Sequence, residues 1–117
     1  MSKPLGPYTP VVRAGDYIFL SGQGGLDDGV KVDGGVVPET AQTMKNIEAL
    51  LDSVGASMSD VVKTTCFLTD MENYAKFNTE YSAAFGDHRP ARSCVAVAAL
   101  PAGFLVEVEA VAYKPAE

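Results

Sequence analysis

Residues 90–109 read Pro90-Ala91-Arg92-Ser93-Cys94-Val95-Ala96-Val97-Ala98-Ala99-Leu100, then Pro101-Ala102-Gly103, then Phe104-Leu105-Val106-Glu107-Val108-Glu109. Two apolar runs around a Pro/Gly break are typical of two strands joined by a turn, so the pattern predicts a hairpin. Both runs also carry charged residues, which are costly to bury unless another group pairs with them. We interpret the rest of the chain as the support for this pair of strands.

Two earlier parts of the chain also have the composition of strands. Residues 11–13 and 17–21 flank a glycine-containing turn and predict a hairpin, and a short strand is expected over residues 30–32. Residues 60–68 are rich in β-branched side chains and predict a further strand. Its alternation predicts a set of side chains that face a helix, Val62, Thr64, Cys66 and Leu68.

Apolar residues at helical spacing predict two helices. The first is expected from Pro38 to Val54, with Gly55 as its C-terminal stop. Asp70 is a favourable N-cap for the second helix, which should end at Gly86. The buried stripe expected for this second helix has one polar member and comprises Met71, Tyr74, Phe77, Asn78, Tyr81 and Phe85.

The resulting order is β-β-α-β-α-β-β, with short connections. It predicts a single α+β domain over residues 1–117, with two helices on one face of a mixed sheet. The other face would then leave several large apolar side chains in water, namely Phe67, Leu105, Val111 and Tyr113. Because large apolar patches usually mark association surfaces, we predict a homo-oligomer that buries this face.

Composition argues against several classes of function. The net charge is −6 and the nine basic residues are scattered, so nucleic acid is a disfavoured partner. With His88 as the one histidine and Cys66 and Cys94 as the two cysteines, neither a zinc site nor a histidine-activated nucleophile is expected. A disulfide stays open, although free thiols suit a cytosolic protein better. No membrane span and no signal peptide is predicted, so we expect a cytoplasmic protein.

Arg92 and Glu107 are candidates for a small site that binds an anion. A guanidinium suits bidentate binding of a carboxylate, and a glutamate on a neighbouring strand could orient or activate water. Cys94 should share a face with Arg92 if the strand is regular. Further donors could come from Ser21, Gly22 and Cys94. An equally good interpretation is a salt bridge from Arg92 to Glu107 or Glu109 that only fixes the strands.

The same residues resemble the signature of a known family. The resemblance lies in Pro90-Ala91-Arg92-Ser93-Cys94-Val95, Leu100-Pro101, Val106-Glu107-Val108-Glu109-Ala110, Gly6-Pro7-Tyr8, Ser21-Gly22-Gln23, residues 61–67, and Phe77-Asn78-Thr79-Glu80-Tyr81. These motifs occur in the right order over nearly the whole chain. On them the chain resembles the RidA family, also called YjgF or endoribonuclease L-PSP.

The resemblance implies a chorismate-mutase-like fold and a homotrimer with active sites between subunits. It also implies a metal-independent enamine/imine deaminase without a cofactor, which hydrolyses 2-aminoacrylate and 2-imino acids to 2-keto acids and ammonia. It assigns Arg92 to the substrate carboxylate and Glu107 to the attacking water. It assigns other pocket positions to Tyr8, Ser21, Gly22, Asn78 and Cys94. Residue type and periodicity alone favour structural roles for Tyr8 and Asn78, which the resemblance reverses.

The chain departs from the family pattern beside this presumed pocket. The lead-in before Tyr8 is short, Gly24 and Gly25 replace bulkier residues, and Arg89 replaces an aromatic one. These departures bear on substrate preference more than on the type of reaction. Two other functions stay open. One is an endoribonuclease or translation inhibitor, and the other is a non-catalytic trimeric module that binds a small molecule or a protein.

Overall fold

Seven strands and two α-helices occur in the computed structural model, which describes residues 4–116. The strands are β1 (Val11–Ala14), β2 (Tyr17–Gln23), β3 (Leu26–Asp27), β4 (Val30–Lys31), β5 (Val61–Leu68), β6 (Ala91–Ala96) and β7 (Val106–Tyr113). The helices are α1 (Val36–Ser53), which follows β4, and α2 (Tyr74–Phe85), which follows β5. The predicted lead-in over residues 1–9 is therefore described only from Pro4, and its first three residues lie outside the described part.

Five of the strands form one mixed sheet in the order β1-β2-β7-β5-β6, and β3 and β4 form a separate two-stranded ribbon. Strands β5 and β6 are parallel, while the other neighbours in the large sheet are antiparallel. Both helices pack on the same face of this sheet. The predicted α+β class, the order of the elements and the mixed sheet are thus confirmed.

The predicted hairpin over residues 90–109 is wrong, because β5 lies between its two strands. The register pairs Cys66 of β5 with Cys94 of β6, and Phe67 of β5 with Glu107 of β7. Two facts explain this arrangement. A strand that returns through a helix, as β6 does after α2, is suited to parallel pairing with the strand before that helix. The connection between β6 and β7 is also longer than the loops that usually close hairpins.

Alternation along β7 separates the two faces of the sheet as predicted. The side chains buried beneath the helices are Val106, Val108, Ala110 and Ala112, while Glu107 is half-buried on the opposite face. In β5 one predicted position is wrong. Val62 is 44% exposed and Val61 is fully buried, because the pairing with β7 shifts between Val61 and Lys63. Such an irregularity moves the alternation by one residue.

The helices differ from their predicted bounds at their N-terminal ends. Helix α1 begins at Val36, two residues before Pro38, because a proline anywhere in the first turn lacks only an N–H that has no helical partner. Asp70 caps a 3-10 turn, in which its carboxylate accepts the N–H of Glu72 at 2.9 Å, and α2 begins after that turn. Neither helix within residues 4–116 is long and apolar enough to cross a membrane.

Both helices contribute apolar side chains to a core over the sheet. The buried contributors include Met44, Ile47 and Leu51 of α1 and Phe77, Tyr81 and Phe85 of α2. The predicted stripe of the second helix is wrong at its first two positions, since Met71 and Tyr74 are each 40% exposed. These two residues lie at the N-terminal end of this segment, beyond the edge of the hydrophobic core.

The opposite face of the sheet is apolar and uncovered, as predicted, although Leu105, which was expected there, packs against the core instead. Its exposed side chains include Val12, Tyr17, Phe19, Val95 and Tyr113, and Phe67 and Val111 are half-buried among them. Tyr17 and Tyr113 make an edge-to-face contact with ring centroids 5.2 Å apart. We refer to these seven residues as the uncovered face.

The shifted register in β5 can be tested by matched substitutions. Val61→Ala removes two buried methyl groups and should lower the free energy of unfolding by roughly 2 kcal/mol. Val62→Ala, on the exposed side, should change it by less than about 0.5 kcal/mol. Urea unfolding followed by circular dichroism measures both. A larger loss for Val62→Ala than for Val61→Ala would contradict the observed alternation.

Candidate active site

Arg92 is held against α2 rather than against a carboxylate. It lies opposite Thr64 of β5, whose side chain is buried beneath α2, so both side chains point to the helix face. One Nη of Arg92 donates to Asn78 Oδ1 at 2.8 Å, and the other donates to the Tyr74 hydroxyl at 2.8 Å. Tyr74 and Asn78 are four residues apart on α2 and therefore lie on one side of it.

Aromatic rings surround the same guanidinium. Its carbon lies 5.0 Å from the ring centroid of Tyr81, 5.5 Å from that of Tyr74 and 6.0 Å from that of Phe77. These rings attract the positive charge without neutralising it. The bonds to α2 use two of the five N–H donors of the guanidinium and leave the others for a ligand. Within residues 4–116 the ion pair is Lys31–Glu39, so the predicted salt bridge from Arg92 to Glu107 or Glu109 is wrong.

Cys94 shares the helix-facing side of β6 with Arg92, as predicted. It is half-buried and lies directly opposite the fully buried Cys66, and both thiols are free. Burial raises the pKa of Cys94, against a smaller lowering by Arg92. Burial, with a contribution from Cys94, raises the pKa of Cys66 to about 12. Both side chains are therefore neutral thiols at neutral pH and are poor nucleophiles.

Glu107 lies on the other face of the sheet, beside Gly22. The register between β2 and β7 shifts between Leu20 and Gln23, which takes Gly22 out of regular pairing. A Cβ at Gly22 would lie only 2.5 Å from Glu107 Oε2, so a larger residue there would displace the carboxylate from its observed position. Burial, and then the nearby charge of Glu109, raise the pKa of Glu107 above the usual range of a carboxyl.

Glu107 also lines a cavity of about 760 Å³. The cavity lies between the N-terminal lead-in, the segment that follows β2, the outer side of α1 and the turn at 101–104. Its walls include Tyr8, Ser21, Gly22 and Glu107, together with the apolar side chains Leu5, Leu26, Leu50 and Phe104. The structure therefore brings together four of the seven predicted site residues.

The hydroxyl groups of Tyr8 and Ser21 already make hydrogen bonds within the chain. The Tyr8 hydroxyl accepts the backbone N–H of Leu5 at 3.1 Å, which orders the lead-in over the cavity. The Ser21 hydroxyl donates to the carbonyl oxygen of Thr9 at 2.7 Å. Ser21 thus fixes the lead-in, and towards a ligand its hydroxyl can only accept a hydrogen bond.

The other three predicted residues, Arg92, Asn78 and Cys94, lie on the helix face, away from this cavity. We call them, with Tyr74, the guanidinium half-site, and we call Tyr8, Ser21, Gly22 and Glu107 the carboxylate half-site. Strand β5 separates β6 from β7, and Arg92 pairs with Thr64 while Glu107 pairs with Phe67. The backbones of Arg92 and Glu107 are therefore roughly 14 Å apart, from two inter-strand spacings across the sheet and three residues along it. Within one chain the two half-sites face opposite sides of the sheet.

Sequence reasoning missed Tyr74, which it assigned to the core. The signal that could have identified it is its spacing of four residues from Asn78, combined with a polar end on an aromatic ring.

Departures from the family pattern also have structural explanations. A Cβ at Gly24 would lie 2.4 Å from the ring of Phe104, and Gly25 packs on the backbone of Glu39. Arg89 donates to the carbonyl oxygens of Gly86 and His88, in the segment that follows α2.

Within residues 4–116, no three His, Cys, Asp or Glu side chains form a group that could hold a metal ion. His88 has a structural contact instead, with its Nε2 2.6 Å from the carbonyl oxygen of Val61.

Comparison with known proteins agrees with the fold and shows the family. The family model described as endoribonuclease L-PSP matches residues 1–114, and the chain belongs to this family. The mouse 2-iminobutanoate/2-iminopropanoate deaminase is 44% identical over 112 residues, which cover 94% of this chain and 83% of the mouse protein. A RutC family protein from Pyrococcus horikoshii is 43% identical over 114 residues, which cover 96% of this chain and 90% of that protein.

Two crystal structures show the same fold. A protein from Thermotoga maritima is 44% identical and superposes with a TM-score of 0.93 over 98% of this chain and 92% of that chain. TdcF of Escherichia coli, solved with bound serine, is 32% identical and gives a TM-score of 0.91 over 97% of this chain and 92% of that chain. The family resemblance seen in the sequence is confirmed.

The cause of the raised pKa of Glu107 can be tested directly. Glu109→Gln removes the second contribution, so the pKa of Glu107 should fall but should stay above that of an ordinary carboxyl, because burial remains. Carbon-detected NMR of the side-chain carboxyl measures this shift. Glu48→Gln, which removes the same charge from an exposed position on α1, should leave that pKa unchanged. Equal effects of the two substitutions would contradict the assignment.

Proposed function

We propose that this chain is an enamine/imine deaminase that hydrolyses 2-aminoacrylate and small 2-imino acids to 2-keto acids and ammonia. The observation that carries the proposal is the guanidinium of Arg92, which α2 fixes through two hydrogen bonds while leaving its charge unneutralised. Two relatives support the choice of ligand. The mouse protein is named as a deaminase of 2-imino acids, and TdcF binds serine, which carries the same carboxylate.

The proposed chemistry needs orientation and one group that transfers protons. Arg92 binds the substrate carboxylate, which places the electrophilic imine carbon beside Glu107. The Glu107 carboxylate takes a proton from water as the water oxygen bonds to that carbon. The resulting carboxyl group returns that proton to the nitrogen, which gives a tetrahedral carbinolamine. Glu107 then takes the hydroxyl proton and delivers it to the amino nitrogen, the carbonyl bond forms as the carbon–nitrogen bond breaks, and ammonia leaves. A raised pKa suits Glu107 to both steps, because the group must be a base first and an acid afterwards.

We further propose that the complete site forms between subunits of a homotrimer. Arg92 and Glu107 lie on opposite faces of one sheet, so a single chain cannot offer both to one small ligand. The apolar residues of the uncovered face supply a reason for subunits to associate there, beside Glu107. The free thiols of Cys66 and Cys94 fit the reducing cytoplasm as the location of this activity.

Substitution of the two proposed catalytic residues tests the activity. With 2-aminoacrylate generated in situ, the wild-type protein should accelerate release of pyruvate over buffer. Arg92→Ala should raise KM because it removes the partner of the carboxylate, at a cost of about 1.5–3 kcal/mol in binding. Glu107→Gln should lower kcat by ~10²–10⁴. Its melting temperature should not fall, since the substitution removes a carboxylate whose charged form is disfavoured by burial.

A protein that binds pyruvate without turning over the imine would instead be a binding module. Wild-type rates in both variants would remove Arg92 and Glu107 from the chemistry.

Mixed oligomers test whether the site is shared. At a substrate concentration well below KM, Arg92→Ala and Glu107→Gln subunits are each expected to have little activity alone, the first through its raised KM and the second through its lowered kcat. When they are refolded together in equal amounts, about one quarter of the shared sites in a closed ring should contain both intact residues. The mixture should therefore recover about one quarter of the wild-type activity, measured as pyruvate release. Each variant refolded by itself is the control, and a mixture no more active than the controls would contradict a shared site.

The name of the family model favours a second candidate, an endoribonuclease. The net charge of −6 argues against strong binding of a polyanion. Two basic side chains are also engaged within the chain, since Lys63 donates to Ser93 and Arg89 donates to the carbonyl oxygens of Gly86 and His88. An assay of cleavage with labelled RNA in place of the imine distinguishes the endoribonuclease from the deaminase. Salt-sensitive cleavage that Lys63→Ala weakens would favour the ribonuclease.

A further inference from the structure

We propose that Tyr74 is a positioning residue, whose hydroxyl holds the guanidinium of Arg92 in the orientation that binds a planar carboxylate. The ligand class rests on the proposed deaminase function, but binding of a 2-keto acid tests the role of Tyr74 without any turnover.

The position of Tyr74 argues against a role in packing. It is 40% exposed, whereas Phe77, Tyr81 and Phe85 of the same helix are buried and supply the contacts of α2 with the core. The edge of the Tyr74 ring reaches the end of Arg92 on the outermost strand, β6. What Tyr74 adds at this site beyond its ring is the hydrogen bond from the guanidinium to its hydroxyl.

Two bonds constrain a guanidinium more than one bond does. Asn78 accepts from one Nη atom and Tyr74 accepts from the other, each at 2.8 Å. With Asn78 alone, Arg92 could turn about that single contact and its remaining N–H groups would sweep through a range of directions. With both contacts, the plane of the guanidinium and the direction of its free N–H groups are fixed. Bidentate binding of a carboxylate depends on that direction.

The partners of Arg92 are also electrically suited to this task. Both Tyr74 and Asn78 accept through neutral oxygens, so they orient the guanidinium without cancelling its charge. Aspartate or glutamate in either place would compete with the ligand carboxylate for the same N–H groups. The rings of Tyr74, Phe77 and Tyr81 keep the charged group against an apolar wall, where a carboxylate ligand is bound more strongly than in water.

Tyr74→Phe keeps the ring and removes the hydrogen bond. We expect the Kd for 2-ketobutyrate, measured by NMR titration, to rise about 10-fold, with the melting temperature unchanged. In the deaminase assay KM should rise by the same factor while kcat changes by less than about twofold, since Glu107 is untouched. The free amide of 2-ketobutyrate, which lacks the carboxylate, should bind equally to both proteins.

Tyr81→Phe is the matched control on the same helix. Its ring also lies against Arg92, but its hydroxyl bonds to the buried Thr64 at 2.7 Å instead of to the guanidinium. This variant should melt at a lower temperature, because it leaves a buried hydroxyl without its partner, and its Kd for 2-ketobutyrate should not change. Loss of affinity alone in Tyr74→Phe, and loss of stability alone in Tyr81→Phe, would distinguish a positioning role from a packing role.

A second background tests whether Tyr74 acts through Arg92. In an Arg92→Ala protein, Tyr74→Phe should cause no further loss of affinity. An unchanged Kd in Tyr74→Phe, or an equal loss with Arg92 already removed, would overturn the proposal. If the wild-type protein binds 2-ketobutyrate but releases no pyruvate from the imine, the deaminase function fails while the role of Tyr74 is still decided by binding. Absence of 2-ketobutyrate binding by the wild type would overturn both.

Discussion

The parallel pairing of β5 with β6 is the constraint on which the rest of the arrangement depends. Helix α2 connects these two strands, so β6 pairs with β5 in parallel at the edge of the sheet, and β7 occupies the other side of β5. The helix that makes this connection then covers the edge strand and receives Arg92. The same topology places Glu107 of β7 on the face that no helix covers. The separation of the Arg92 guanidinium from the Glu107 carboxylate therefore follows from the topology of the sheet and not from local details of either strand.

Each half-site is made possible by a different kind of local structure. The carboxylate half-site depends on backbone geometry, because an irregularity in β2 and a missing side chain at Gly22 give Glu107 its space. The guanidinium half-site depends on a regular helix, whose four-residue spacing aligns Tyr74 with Asn78. The carboxylate half-site disfavours the charged form of Glu107, as the raised pKa of that group indicates. The guanidinium half-site instead stabilises the positive charge of Arg92. The proposed substrate, which has an anionic end and a reactive carbon, needs such opposite electrostatic environments.

Much of the fold could be predicted because its signals are local. The strict alternation in β7 identified its two faces, and the spacing of Met44, Ile47 and Leu51 identified the buried side of α1. Pairing between strands could not be predicted from the two apolar runs, since it depends on contacts far apart in sequence. The position of Val62 failed for a related reason, because a shift in register is decided by the partner strand. Tyr74 was missed because periodicity finds the side of a helix that faces inward but not where the core ends.

Among these features, the division of the proposed site between two faces has a consequence for how such a protein evolves. When a gene for a subunit of this kind is duplicated, a mixed ring needs only one intact copy of each half-site at a given boundary. One copy is then free to lose its guanidinium half-site and the other its carboxylate half-site, provided that they assemble together. The uncovered face, through which the subunits are proposed to associate, would be retained in both copies, while the polar residues diverge. Sequence change in paralogues of this fold is therefore expected to be asymmetric, with each copy preserving a different half of the chemistry.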